Sequence, residues 1–423
     1  MDFKLVIEGL GDRDVKLSWS TRDPDWDATP YLVDRSMLLR AGEDLRRELR
    51  DITNHGLDSQ RRGAQPAYTA RLEPLRSAGG VLFNAIFDAQ DGDTEQAREI
   101  REEIQKHARE LAAGRAAPAN LAIVLRDDGV LVPWSFAFNA EADVAPLASD
   151  PPDPGRTLRL KDFHGFWLSQ FCIRQRFTGL DRLPTMPRTT PDFRGLHIVN
   201  EQLFTDAMSI LRDRPNAAGR VNDVFFQPLR PGNMVRDWTA TREEWARIKD
   251  ANDSVVFVFG HSDGEMIELG LAPPGQDRRR YSLSSAAFRD LIRKAGATSA
   301  SFCFLNACRT ASPDPNPGGA LFNASFLKAT RQKGFHGFIG TEAEVGNADS
   351  LHYASEFLYL IYAEGYSVGE AFDALAARED LLPFNFYYSC FALPDFRIPR
   401  PVAISEVEAR SPSPPPSAPG ASI

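Results

Sequence analysis

Two residues in this chain have the chemistry to act together on a carbonyl group. Cys308 stands in Phe302–Thr310, FCFLNACRT, where an apolar run gives way to an Arg-Thr turn, and His261 directly follows another apolar run, Ser254–Gly260, SVVFVFG. A thiol near its ordinary pKa of ~8.5 is mostly protonated at neutral pH, and a nearby imidazole takes its proton or stabilises the thiolate. Cys308 would then attack the carbonyl carbon while His261 protonates the leaving amine. Backbone N–H groups in the turns after the two stretches are the natural holders of the developing oxyanion. The alternative is that the two are unrelated structural residues, and position is the first argument against it. Cys303 sits inside its apolar run, as a packing thiol does, whereas Cys308 stands where the run stops. Cys172 and Cys390 have aromatic or apolar neighbours and read as packing thiols too.

For the pair to meet, the chain must bring both residues to one edge of a sheet. From about Asp253 the pattern is regular. Strands are expected at Ser254–Gly260, Ser299–Leu305 and Phe335–Gly340, with helices at Ser284–Ala295, Ala320–Arg331, Asp349–Glu364 and Val368–Glu379. Strands that are apolar on both faces and alternate with helices imply a parallel sheet covered on both sides. Sites in such sheets form beyond the carboxyl ends of the strands. His261 and Cys308 both lie at such ends, and paired parallel strands are about 4.8 Å apart.

The amino-terminal part reads differently. Phe3–Glu8, a turn over Gly11–Asp14, and Val15, Leu17 and Trp19 alternating with polar residues predict a hairpin. Three helical stretches follow, the clearest at Glu95–Leu111, where Ala97, Ile100, Ile104, Ala108 and Leu111 recur at helical spacing. Leu121–Leu125, the turn Asp127–Gly129 and Val130–Val132 predict a second hairpin. DPPDP at Asp150–Pro154 and LRPG at Leu229–Gly232 are breaks, the latter shortly before a helix opened by a capping box at Thr241–Glu244. The tail Ser411–Ile423, SPSPPPSAPGASI, lacks the apolar content to fold.

Length and charge exclude some classes. At 423 residues the chain has material for two or three units of roughly 150 residues. Its net charge of −9 disfavours general binding to nucleic acid or an anionic membrane. No basic segment leads into a long apolar one at the start, and no run of about 18 apolar residues occurs, so a cytoplasmic location is expected. The four cysteines have neither paired-cysteine spacing nor disulfide-scaffold density and are read as reduced. There is no HExxH, no metal-ligand spacing and no GxxxxGK[ST] loop, so neither metal nor cofactor is expected.

The order of motifs resembles a known family. The 47 residues from His261 to Cys308 resemble a caspase layout, with its histidine about 50 residues before the cysteine, and NACRT resembles the caspase QACRG. FVFGHSDG, FLNACRT, GGALFNASFLKA, GFHGFIGTEAEV and GYSVGEAFDALAAR follow in the order seen in the CHAT domain, a caspase-like cysteine peptidase family. LVPWSFAF at Leu131–Phe138 and YYSCFALPDFRI also look like family elements, so the resemblance runs roughly from Leu121 to Ile398. It implies Cys308 as nucleophile, His261 as general acid and base, and the backbone N–H groups of Cys308 and Ser262 as oxyanion donors. The family has glycine where Ser262 stands and Glu where Ser135 stands; a serine keeps the N–H. His55, His164 and His336 each precede a glycine, but none stands at a strand exit. The resemblance makes Asn306, two before the cysteine, a substrate-pocket candidate, with Asp263 as a source of negative charge beside Glu265 and Arg309 as a further candidate.

The expected fold is therefore α/β, a caspase-like, mostly parallel central sheet flanked by helices, beside an N-terminal α+β half. The expected units are a hairpin-plus-helices half at 1–120, an upstream part of the CHAT-like region at 121–252, a catalytic subdomain at 253–400 and a disordered tail at 401–423. The resemblance implies an endopeptidase that cleaves a protein substrate in a bacterial defence or cell-death system, such as a gasdermin-like effector, under an activating sensor protein. No direct nucleic-acid or membrane partner is expected. The competing readings are a catalytically silent scaffold of the same fold and a ligand-binding α/β module, the latter lacking its glycine fingerprint.

Overall fold

Alternation builds the first sheet. In β1 (Asp2–Leu10) Phe3, Leu5 and Ile7 are buried while Lys4 is exposed, and in β2 (Asp14–Thr21) Val15, Leu17 and Trp19 are buried. The computed structural model describes residues 2–21, 29–61, 68–90, 94–126, 130–140, 158–177, 194–226, 232–235, 237–248, 253–262, 266–270, 275, 281–284, 286–288, 290, 300–308, 337–392 and 394–397. β1 and β2 form the expected hairpin, and β3 (Tyr31–Asp34) adds a third antiparallel strand to β2. On its other edge β1 pairs in parallel with β4 (Ala119–Leu125), which pairs in parallel with β5 (Phe171–Phe177), giving the order β3-β2-β1-β4-β5.

This overturns the second hairpin. Both edges of β4 are taken by β1 and β5, so no position is left for a return strand. Val130, Leu131 and Val132 are buried without joining a sheet. β4 and β5 complete the sheet that β1 begins, so this sheet runs across residue 120. Helices α1 (Arg35–Arg61), α2 (Leu72–Phe87) and α3 (Thr94–Ala112) belong to this half, and α3 buries Ala97, Ile100, Ile104 and Ala108 as its spacing predicts. The short α4 (Trp167–Gln170) leads into β5 and places Trp167 against Trp19, Phe83 and Phe171.

The second sheet has six strands in the order β14-β13-β12-β8-β6-β7. These are β6 (Arg194–Val199), β7 (Gly232–Val235), β8 (Asp253–Phe259), β12 (Ala300–Asn306), β13 (Gly337–Thr341) and β14 (Tyr388–Ala392). All pairings are parallel except β13 with the edge strand β14. The continuous apolar runs have their cause here: Val255 to Phe259 and Phe302 to Leu305 are buried on both faces. Helices α5 (Glu201–Leu211), α6 (Pro215–Val221), α7 (Trp238–Ile248), α8 (Asn347–Tyr362) and α9 (Val368–Ala376) accompany this sheet. On α8, Tyr353 and Phe357 meet Phe304 edge-on, with centroids 6.4 and 5.4 Å away. α7 starts three residues before the expected capping box. Asp237 caps it by accepting from the Ala240 N–H at 2.9 Å, and Thr241 lies inside the helix with its hydroxyl donated to the Asp237 carbonyl.

The two sheets meet along β5 and β14. Phe177 stacks on Phe391 at 5.5 Å, Gln175 donates to the Ser389 hydroxyl at 3.4 Å, and Arg174 forks onto Asp373 of α9. No described helix is long and apolar enough to cross a membrane. The expected helix at Ala320–Arg331, the tail at 401–423 and most of the expected helix at Ser284–Ala295 lie outside the described residues.

Candidate active site

Register aligns the two candidate residues. β8 and β12 pair in parallel from Asp253 with Ala300 to Phe259 with Asn306, in step throughout. His261 follows Phe259 by two residues and Cys308 follows Asn306 by two, so the strand exits deliver both at the same level of adjacent strands. Neighbouring strands are about 4.8 Å apart, within reach of a thiol and an imidazole. His261 is exposed and Cys308 half-buried.

The exit of β8 is shaped by a small antiparallel sheet. β9 (His261–Ser262) pairs with β10 (Met266–Glu268), which pairs with β11 (Ser282–Ser284). Gly260 permits this turn: a Cβ there would stand 2.5 Å from the Glu268 carbonyl oxygen and 2.7 Å from Ile267 Cγ2. Ser262 is half-buried beside the buried Ile267.

Asn200 ties the turn down, and the motif reading missed it. Its N–H donates to the Phe259 carbonyl at 2.8 Å, its Nδ2 donates to the Glu268 carbonyl at 3.2 Å, and its Oδ1 caps α5 by accepting from Leu203. The available signal was an Asn between the apolar HIV and a helical pattern, which marks an N-cap.

The exit of β12 is held from the opposite side. The Thr341 hydroxyl, at the end of β13, donates to the Ala307 carbonyl at 2.6 Å. Asn306 is buried, donating from Nδ2 to the Ser350 carbonyl at 2.9 Å and accepting at Oδ1 from the Tyr388 hydroxyl at 2.9 Å. Tyr388 stacks face to face on Tyr353 at 3.9 Å. Burial, with smaller contributions from Tyr353, Cys308 and Asp349, raises its phenol far above the ordinary value, so it stays a donor. Asn306 is thus a packed anchor beneath the strand exit, with both ends of its amide engaged inside the fold. Asp263, Glu265 and Arg309 lie outside the described residues.

The other cysteines contrast with Cys308 in place. Burial raises the thiols of Cys303, far above its ordinary value, and Cys390, pushed up to about 12; burial and the Asp373 charge raise Cys172. A thiol held protonated is a poor nucleophile. Of the other histidines, His197 is buried in β6, His107 packs between Phe3 and Phe171, and His352 lies on α8. His164 is exposed after the turn Leu160–Phe163, His55 is on α1, and His336 lies outside the described residues. Ser135 lies in the turn Trp134–Phe136, between two buried aromatic rings.

Among the described residues no group of three His, Cys, Asp or Glu is placed to hold a metal ion. A cavity of about 440 Å³ lies along α8 and contains neither His261 nor Cys308. Its charges are already paired, Arg214 with Asp349 at 2.8 Å and Arg378 with Glu356 at 3.1 Å and Asp380 at 2.6 Å.

A scan against protein-family models and a search of curated proteins find no match to this sequence. Solved structures do align with it. Two crystal structures of the Saccharomyces cerevisiae separase–securin complex match with TM-scores of 0.47 and 0.46, each at 10% identity over 93% of this chain and 30% of theirs. The Arg-specific cysteine proteinase gingipain R matches with a TM-score of 0.39 at 10% identity, over 74% of this chain and 71% of its own. This chain thus spans under a third of the separase structures it aligns with.

Proposed function

We propose that this chain is a caspase-like cysteine endopeptidase of the CHAT type, with Cys308 as nucleophile and His261 as general acid and base. The observation that supports the reading most is the in-step parallel pairing of β8 and β12, whose exits lead to the two residues. In the proposed reaction His261 accepts the Cys308 proton, and the sulfur attacks the scissile carbonyl carbon. The resulting oxyanion accepts from the backbone N–H groups of Cys308 and Ser262. Collapse expels the amine, protonated by His261, and leaves a thioester. Water, deprotonated by the same imidazole, then attacks the thioester, and the acid product and the thiol are released.

The proposed substrate is a protein segment presented as an extended strand. In keeping with the motif resemblance, the physiological substrate is proposed to be an effector protein such as a gasdermin-like pore former in bacterial defence, with an activating sensor protein and a cytoplasmic location. The experiment is cleavage of a diverse peptide library by wild type, Cys308→Ala and His261→Ala under reducing conditions, read by mass spectrometry. Cleavage lost in both variants supports the reading, and the fragments report the preferred residues. Cleavage that survives in both would sink it. Silence of the wild type, both alone and mixed with candidate sensor proteins, favours the scaffold.

A further inference from the structure

Beyond the dyad itself, and resting on the peptidase reading above, we infer that Thr341 and Arg46 are positioning residues for the nucleophile, with Arg46 acting from the other half of the molecule. The Thr341 hydroxyl grips the Ala307 carbonyl at 2.6 Å. That carbonyl shares a rigid peptide plane with the N–H of Cys308, so fixing the oxygen on one side aims the N–H in the opposite direction. The group so aimed is the proposed oxyanion donor. Holding one end of the plane sets the direction of the other.

Thr341 needs an anchor of its own, and the next residue provides it. Glu342 is 2% exposed, and its Oε2 accepts from Arg46 Nε at 3.0 Å and Nη2 at 2.8 Å. Its Oε1 accepts from Ser389 Oγ at 2.5 Å, and its N–H donates to the Tyr387 carbonyl at 2.9 Å. Arg46 is 3% exposed on α1 and also donates to the Leu131 carbonyl at 3.0 Å. The same helix accepts the Tyr387 hydroxyl at the Leu49 carbonyl and donates the Thr53 hydroxyl to the Glu344 carbonyl, both at 2.7 Å. α1 therefore holds the 342–344 segment directly and through Tyr387. A buried ion pair is a poor source of net stability but a stringent one of geometry, since each partner needs the other in place.

The test separates positioning from folding. Thr341→Val keeps the shape and removes the hydroxyl, and Thr341→Ser restores it. Arg46→Met combined with Glu342→Leu removes both charges together, so neither is left buried and unpaired. Each full-length variant is assayed for the rate of Cys308 alkylation by iodoacetamide against pH, localised by mass spectrometry, for kcat and KM on a cleaved peptide, and for melting temperature. Thr341→Val and the double variant are expected to lower kcat about 10-fold or more with KM changed less than about 2-fold. The alkylation midpoint should move up by about half a pH unit or more as the thiolate loses an aimed N–H, and Thr341→Ser should return it. Variants that melt like wild type with an unshifted midpoint overturn the inference. If the double variant fails to fold, Thr341→Val against Thr341→Ser decides alone. If wild type alkylates at Cys308 but cleaves no peptide, alone or mixed with candidate sensor proteins, the peptidase reading fails while the midpoints still decide this one.

Discussion

The two sheets carry parallel strands that end quite differently. In the first, β4 runs out to Arg126, which donates its N–H to the Ile7 carbonyl and its side chain to Glu8, while β5 ends at the buried Phe177, stacked on Phe391 at 5.5 Å. His107 and Cys172 there are packed against the body of the sheet with titrations displaced by burial. In the second, β8 and β12 run out in step to an exposed imidazole and a half-buried thiol. One half spends its aromatic residues on packing; the other leaves an edge with side chains suited to reaction. The lesson is that a strand exit becomes a candidate site when packing stops there.

The strongest way to break this comparison is to remove one thiol from each half. Cys308→Ala is expected to lower peptide cleavage by at least about 10³-fold, whereas Cys172→Ala should leave kcat/KM within about 2-fold because its thiol is held protonated. His261→Ala should approach the Cys308→Ala loss, and His107→Ala should cost stability alone, about 1–3 kcal/mol as a buried ring removed from between Phe3 and Phe171. Equal losses from the cysteine pair, measured on one peptide under reducing conditions, would erase the distinction between the halves.

How far these features could be read in advance follows the range of the interactions behind them. The strands SVVFVFG and SFCFL announce themselves because burial on both faces leaves no polar period, and their exits mark Cys308 and His261 from local sequence alone. The second hairpin misled because strand partners are chosen across the chain: β4 takes β1, more than a hundred residues earlier, in place of its neighbour. The burial of Arg46 and Glu342 depends on a contact 296 residues apart, which no local pattern carries. Asn306 is a pocket candidate through the family resemblance, and the engagement of its amide by Ser350 and Tyr388, from two separate elements, is carried by no local pattern.

Each sheet buries a histidine, and acid sharpens the contrast between them. Burial lowers His107, while complete enclosure among Phe225, Phe257 and Tyr362 holds His197 down to about 4. A histidine depressed from 6.5 to about 4 contributes stability that is fully present above pH 6.5 and is lost as pH falls toward 4, because the unfolded chain binds the proton first. The loss amounts to about 3 kcal/mol. His197→Phe should flatten the dependence of unfolding free energy on pH across that window relative to wild type, measured by urea unfolding. A slope unchanged by the substitution would show that His197 does not govern the acid response of the second sheet.

A last comparison sets a glycine on a helix of the first half against one at the exit of β8. Gly80 lies on α2 with nothing within 4 Å of where a Cβ would be, so Gly80→Ala should stabilise the protein by about 0.5–1 kcal/mol through helix propensity and leave cleavage unaltered. At Gly260 the new carbon would meet the Glu268 carbonyl oxygen at 2.5 Å, and a backbone atom cannot rotate away as a side chain can. β10 must then shift, and it carries the partners of both His261 and Ser262. Gly260→Ala should cost about 1–3 kcal/mol and lower kcat about 10-fold or more by misplacing the imidazole relative to the thiol. Thermal melts and peptide kinetics on the two variants form a matched pair: the same methyl is expected to be harmless on α2 and damaging at the exit of β8. A Gly260→Ala protein with wild-type turnover would mean that the turn into β9 does not position His261.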